Sequence, residues 1–285
     1  MKKHAYLIII HNNYYTLEKL VKMLDDIRND IYIHVDKKVK DFPFKYFTSI
    51  IERSSLKYVK RVDVRWGKYS VIQATMNLFK ESVNGEYVYY HLLSGQDLPI
   101  KSQDYIHKFF EENEGKEFVT CTTEQALREA RIIERFNFYH FFGGRRLHDK
   151  IVEIQRDRIS RYKGGYEYNY GSNWVSITDE LVKLILTKEK WIKKTFRFTE
   201  CCDEVFVQSI VMNSEYKNQL YRVPKSERTI SFNMRYINWS SGSPNPDIFV
   251  EDDWDHLSES ECLFARKFDE NRDKKIIDLI FKKYS

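Results

Sequence analysis

The stretch from Ala5 to Asp36 constrains this chain more than any other. Ala5 to Ile10 is an unbroken apolar run rich in β-branched residues, the pattern of a strand buried on both faces of a parallel sheet. After His11-Asn12-Asn13, the apolar residues Leu17, Leu20, Val21, Leu24 and Ile27 recur at helical spacing, and Ile31 to Val35 is a second strand ending at Asp36. A β-α-β opening implies a right-handed crossover and a ligand crevice beyond the carboxyl ends of the strands. The chain is therefore expected to be an α/β protein with a mostly parallel central sheet flanked by helices. No Gly-x-Gly-x-x-Gly follows the first strand, so dinucleotide binding is a poor reading. His11 and His34 read as hydrogen-bonded residues near the sheet edge.

Further along, Val62 to Val64 reads as a strand, and Trp66-Gly67-Lys68-Tyr69-Ser70 leads into a helix bearing Val71, Ala74, Thr75 and Leu78. Tyr87 to Leu93 is another strand, followed directly by Ser94-Gly95-Gln96-Asp97-Leu98-Pro99-Ile100, where Gly95 and Pro99 give a tight turn expected to aim Asp97 outward. Ser102 caps the next helix. Between Glu124 and Arg161, arginines alternate with aromatics; they read as a solvated helical face over Leu147, Ile151 and Ile154. Tyr162 to Tyr170 reads as a mobile loop. From Gly171, a short strand at Trp174, Val175 and Ile177 runs into a helix capped by Thr178, and Asp203 with Glu204 opens another helix. Acids favour first helical turns because they complement the helix dipole, so this pair suits either a cap or a general base. Arg228 to Trp239 is strand-like, Asp253-Trp254-Asp255 a solvated turn, and Asp273 to Tyr284 a basic amphipathic helix.

At 285 residues, with 42% hydrophobic and 31% charged residues, the chain is globular and long enough to bury a substantial core. Its 20 Tyr, 19 Phe and 5 Trp supply rings that suit sugar binding as well as packing. The net charge of +5 would attract a phosphorylated donor, but no run of Lys and Arg is dense enough for nucleic acid. Cys121, Cys201, Cys202 and Cys262 lack metal-ligand spacing and read as reduced thiols. The apolar run at the N-terminus is too short for a signal peptide, and none approaches a membrane span.

Four motifs, in order, resemble glycosyltransferase family 14, the core-2/I-branching β-1,6-N-acetylglucosaminyltransferases and the peptide O-xylosyltransferases. They are Ser94-Gly95-Gln96-Asp97-Leu98-Pro99-Ile100, the Gly171-Ser172 segment with Asp203-Glu204, Arg235-Tyr236-Ile237-Asn238-Trp239, and Leu263 to Asp269. The resemblance covers about residues 4 to 269. It implies a GT-A-type nucleotide-sugar fold in one catalytic domain, 1–285, with a nucleotide-sugar half (1–120) and a half carrying the acceptor site and base (121–285). It puts the catalytic base on Glu204 and the donor contacts on Ile9, Asp36, Trp66, Asp97 and Lys267. The acceptor contacts fall on Trp239, Glu124, Arg131 and Ser172.

The resemblance further implies inverting transfer from a UDP-sugar to a glycan hydroxyl without a divalent metal. UDP-N-acetylglucosamine is the expected donor and UDP-xylose the alternative. An inactive sugar- or nucleotide-binding protein on the same fold is the competing reading. Its support is Pro244-Asn245-Pro246-Asp247, which places an acid where bacterial relatives carry an Arg at the diphosphate; Arg266 or Arg235 would have to substitute. Animal relatives carry an anchor, a stem and several disulfides. Their absence here points to a bacterial-type, cytoplasmic enzyme, one that could meet a lipid-linked acceptor through the basic C-terminal helix at the inner face of the membrane.

Overall fold

A computed structural model describes residues 2–129, 135, 137–141, 145–156, 161, 165–222, 229–243 and 245–285. Its centre is a five-stranded sheet in the order β3 (Ser55–Tyr58), β2 (Asn29–Val35), β1 (Lys3–Ile10), β4 (Tyr87–Ser94), β6 (Ser176–Thr178). The first four strands run parallel and only β6 is antiparallel, paired Tyr90 to Ile177. A smaller sheet sets β8 (Phe264–Arg266) between β5 (Asp97–Pro99) and β7 (Arg235–Ile237). The helices, in chain order, are α1 (Tyr14–Leu24), α2 (Phe44–Ser49), α3 (Ser70–Ser82), α4 (Gln103–Glu112), α5 (Glu124–Glu129) and α6 (Arg145–Gln155). They continue with α7 (Asp179–Thr187), α8 (Glu189–Phe196), α9 (Phe206–Met212), α10 (Trp254–Glu259) and α11 (Lys274–Tyr284).

The apolar opening run is explained by burial on both sides. Tyr6, Ile8 and Ile10 face a core shared with α1, α11 and the small sheet, whereas Ala5 and Leu7 face one shared with α3, α7 and α9. The α/β architecture with a mostly parallel sheet is thus as the sequence predicts. The caps agree too: Ser102 Oγ accepts from Tyr105 N at 3.3 Å and Thr178 Oγ1 from Leu181 N at 3.3 Å. All four cysteines are free thiols. Helix α11 buries Ile276, Ile277 and Ile280 as a packed terminal helix, and no helix among the described residues is long and apolar enough to cross a membrane.

Several local expectations fail. Helix α1 stops at Leu24, leaving Ile27 62% exposed, because the Asp25 carboxylate turns to accept the amides of Glu52, Arg53 and Ser54. The third strand is Ser55–Tyr58. Val62 to Val64 instead braces the end of β2: Val62 N donates to His34 Nε2 at 2.9 Å, and its carbonyl accepts from Lys37 N. That bond makes His34 structural. The strand expected up to Trp239 is only Arg235–Ile237. Asp253-Trp254-Asp255 begins α10, with Asp253 accepting from Val250 N, so it is a helix start and not a turn. Ile154 on α6 is 62% exposed and so is not covered by the arginines. Residues 165–170 are tied down, with Tyr166 packed on Trp191 at 4.6 Å and Asn169 bonded to Thr122, in place of the mobile cover expected there. Residues 162–164 lie outside the described set.

Buried titratable groups give the fold a defined acid response. His4 and His91 are held well below the usual histidine value, first by burial and then by neighbouring cationic groups. The unfolded chain therefore binds protons the fold refuses, so stability is full above pH about 6.5 and falls below it. Burial pushes the Glu117 carboxyl the other way, up to about 7, so this group favours the fold as pH drops from 7. Glu117→Gln removes the opposing contribution. Its urea midpoint should fall more steeply than that of the wild type between pH 7 and 5, by up to ~1.4 kcal/mol per pH unit. Parallel curves would show that Glu117 ionises normally.

Candidate active site

Glu204 ends a short 3-10 turn, Cys202–Glu204, that precedes α9 in place of the single helix expected from the sequence. The turn is braced from both sides. Gly171 N donates to Glu204 O at 3.0 Å, and Cys201 N donates to Gly67 O at 2.9 Å. Gly67 has φ of 67° and Cys201 has φ of 44°, so both sit in the left-handed region; glycine adopts it freely, whereas cysteine is held there by its surroundings. The Glu204 side chain remains about one-third exposed, with Oε2 3.2 Å from Arg135 Nη1. Burial raises its pKa, opposed by the Arg135 charge and by hydrogen bonds from Arg135 and Tyr170. The Arg135 guanidinium also lies 5.5 Å from the Tyr170 ring centre. The adjacent Asp203 lacks that contact: among the described residues its buried Oδ1 has no hydrogen bond, and burial, then the Glu204 charge, pushes it up to about 7 against the weaker pull of Arg135. The two acids thus have different environments, and Glu204 is the one held against a cation at an open face.

A second cluster lies on the small sheet. Asp97 is 1% exposed, so the turn aims it inward, contrary to expectation. Its carboxylate accepts from Ser94 N and Ser94 Oγ, both at 2.8 Å, and lies 3.2 Å from Arg266 Nη1 across the β5–β8 ladder. The reason is charge: a guanidinium arriving on β8 draws the carboxylate off the surface. Arg266 Nη1 is in ionic contact but not aligned for a hydrogen bond, and the guanidinium stacks over Trp174 at 4.2 Å. Lys267 follows, half-buried; among the described residues its amine has no hydrogen-bond or ion-pair partner within 4 Å. Its pKa is lowered by burial and by Arg266. Arg235, the other cation weighed for the diphosphate, is excluded by position: it is 3% exposed and donates to Ser176 Oγ and Val175 O.

The segment 171–174 joins the clusters, with Gly171 on the Glu204 turn and Trp174 under Arg266. Ser172 O accepts from Gln208 Nε2 at 2.7 Å, and its Oγ accepts from Trp174 N, so Ser172 shapes this segment. At the ends of the central strands, Ile9 is partly exposed and its carbonyl takes the Gly95 amide. Asp36 is buried, accepting from Lys38 N at 2.9 Å with Lys38 Nζ 3.4 Å away. Exposed His11 lies within electrostatic reach of both Asp36 and Lys267. Trp66 is 79% and Trp239 52% exposed. Glu124 is exposed at the start of α5; just before it, Thr122 Oγ1 donates to Tyr170 O. Arg131 lies outside the described residues. Asp247 is satisfied within its own loop by Ser240 Oγ, Ser241 N and Ser241 Oγ. Among the described residues no three His, Cys, Asp or Glu side chains form a group able to hold a metal ion.

Sequence reading missed Arg135, Tyr170 and Trp174. Arg135 is one of many arginines with nothing local to single it out, and Tyr170 sits at the end of a segment that reads as a loop. The close fit at Gly171 carried a signal, because a Cβ there would meet Thr120 O at 1.7 Å. Gly171→Ala should cost on the order of 3 kcal/mol by forcing the segment off the Glu204 turn. Urea denaturation reads the stability; an unchanged midpoint would mean that the segment can shift.

A family model described as Core-2/I-Branching enzyme matches residues 4–262, ending just before Arg266 and Lys267. Xylosyltransferase oxt of Drosophila pseudoobscura pseudoobscura is 24% identical over 277 residues, covering 89% of this chain and 30% of the relative. Human N-acetyllactosaminide beta-1,6-N-acetylglucosaminyl-transferase is 23% identical over 291 residues, covering 94% of this chain and 68% of the relative. The chain thus spans under a third of the length of the fly relative. Among solved structures, core-mannan synthase A from Aspergillus fumigatus in its Mn/GDP form overlaps 76% of this chain and 72% of its own at 12% identity. The TM-score is 0.41, too distant for any residue to be transferred.

Proposed function

This chain belongs to the core-2/I-branching enzyme family, and on that premise we propose that it is an inverting glycosyltransferase of GT-A type that moves a sugar from a UDP-sugar to a glycan hydroxyl. The observation that carries the reading is the assembly of one partly exposed carboxylate beside a cation, Glu204 with Arg135, joined through residues 171–174 to a pair of further cations, Arg266 and Lys267. Glu204 would accept the proton of the acceptor hydroxyl as that oxygen attacks the anomeric carbon. Leaving diphosphate gains charge at the transition state, and a fixed cation lowers that barrier. Lys267, whose amine has no ion pair among the described residues, would meet it, with Arg266 in place of the loop Arg of relatives. Asp97 then positions Arg266 and does not touch the donor. In this reading the protein cations take the part of a divalent metal, and Trp239 offers the acceptor a stacking face.

N-acetylglucosamine is the sugar proposed, from the human relative's name; xylose is the second reading, from the fly relative's. Donor hydrolysis and UDP release with a panel of UDP-sugars, in EDTA and then with manganese, tests the proposal. One donor turned over in EDTA supports it and names the sugar. Failure of every UDP-sugar to bind sinks it.

A further inference from the structure

Helix α8 packs Ile192 and Phe196 into the core shared with α3, α7 and α9, and turns a row of cations outward. Lys190, Lys193, Lys194 and Arg197 are all exposed, and spacings of three, four and seven residues put them on one side of the helix. Arg197, just past the last turn, keeps helical angles (φ −52°, ψ −32°) and so continues the row. Among the described residues none of the four lies within ion-pair distance of an acid. The acids nearest in sequence are turned elsewhere: Glu189 pairs with Lys80, and Glu200 lies 3.8 Å from His140 Nδ1. Cations in a last helical turn complement the dipole, which accounts for Lys193 and Lys194. Lys190 stands in the first turn, against the dipole, and like charges at these spacings repel.

At its carboxyl end the row meets aromatic surface. The Arg197 guanidinium lies 5.2 Å from the Phe198 ring centre, and Phe198 lies 5.3 Å from Phe141, which is 42% exposed and stacked on Tyr139 at 5.6 Å. Tyr139 follows Arg135 by four residues and Phe198 precedes Glu204 by six, so this patch borders the candidate site. Uncompensated cations beside an exposed aromatic ring complement a bilayer: anionic headgroups neutralise the row, and the ring settles at the interface. A row only about 10 Å long spans too few phosphates to hold a nucleic-acid strand well, whereas a bilayer presents headgroups over its whole surface. We infer that α8 and Phe141 form a docking face for a membrane surface rich in anionic lipid, with the Glu204 opening at its edge. The C-terminal helix, expected in that role, is more compensated: Glu251 lies 3.1 Å from Lys275, and Asp278 stands between the two lysine pairs. The inference does not rest on the transferase reading.

Co-sedimentation with phosphatidylcholine vesicles, with and without one-third phosphatidylglycerol and in the absence of any sugar nucleotide, tests the face. Expected is partition onto the anionic vesicles alone, weakened by added salt. Lys193→Gln together with Lys194→Gln should lower it about 25-fold, at about fivefold per cation, and Phe141→Ala should lower it about threefold or more at unchanged charge. Lys282→Gln together with Lys283→Gln on α11, an equal loss of net charge, should leave it nearly unchanged. Every substituted side chain is exposed, and circular dichroism checks that each variant is folded. No partition of the unaltered protein onto anionic vesicles, an equal loss from the α11 pair, or full partition of Phe141→Ala would each overturn the inference. So would a single-stranded RNA that binds more tightly than the vesicles and displaces them.

Discussion

Glu204→Gln should lower the rate of sugar transfer 10²–10⁴-fold, the range expected for loss of a general base, while leaving donor binding nearly unchanged. Glutamine keeps the size and one acceptor oxygen but cannot take a proton at neutral pH. The same carboxylate predicts the pH profile. A base must be deprotonated, so the rate rises with pH through its pKa, which burial holds above the usual glutamate value. Arg135 opposes that shift, so Arg135→Gln should move the acid limb further up the pH scale. Single-turnover rates from pH 5 to 8 read both effects. A Glu204→Gln protein with wild-type rates would remove Glu204 from the chemistry.

Asp97→Ala should destabilise the protein by about 3–5 kcal/mol, since it strands the nearly buried Arg266 without its counter-charge and takes the acceptor from Ser94 N. Urea denaturation measures the loss. Asp97→Ala with Arg266→Met should recover part of it by removing the unpaired charge, yet bind UDP more weakly than wild type if Arg266 meets the diphosphate. Calorimetry with UDP separates stability from binding, and full UDP affinity in the folded double variant would assign the diphosphate elsewhere.

Strands β1, β2 and β4 of the central sheet were legible because they are buried on both faces, so apolar runs such as Ala5 to Ile10 and Tyr87 to Leu93 stand out without any need for distant partners, whereas the largely exposed edge strand β3 did not. Val62-Asp63-Val64 has the alternation of a short strand, but the Val62 hydrogen bonds go to His34 and Lys37, which sequence distance conceals. Asp97 shows the same limit at the site. Its turn was readable, yet its direction is decided by Arg266 on another strand. Glu204 could be singled out by its motif, whereas Arg135 and Trp174 take their meaning only from what folds against them. Asp247 is the reverse case: an acid expected to weaken the diphosphate site is a local loop cap.

The pairing of β5 with β8 joins a residue near the first third of the chain to one near its end. As the chain emerges during synthesis, the nucleotide half can collapse onto its parallel sheet early, but the Asp97 carboxylate stays without its cation until β8 arrives. Long-range pairing of this kind forms late. The Asp97–Arg266 pair would therefore form only after nearly all of the chain has been made, and a chain released short of β8 would have the central sheet but leave Asp97 without its cation.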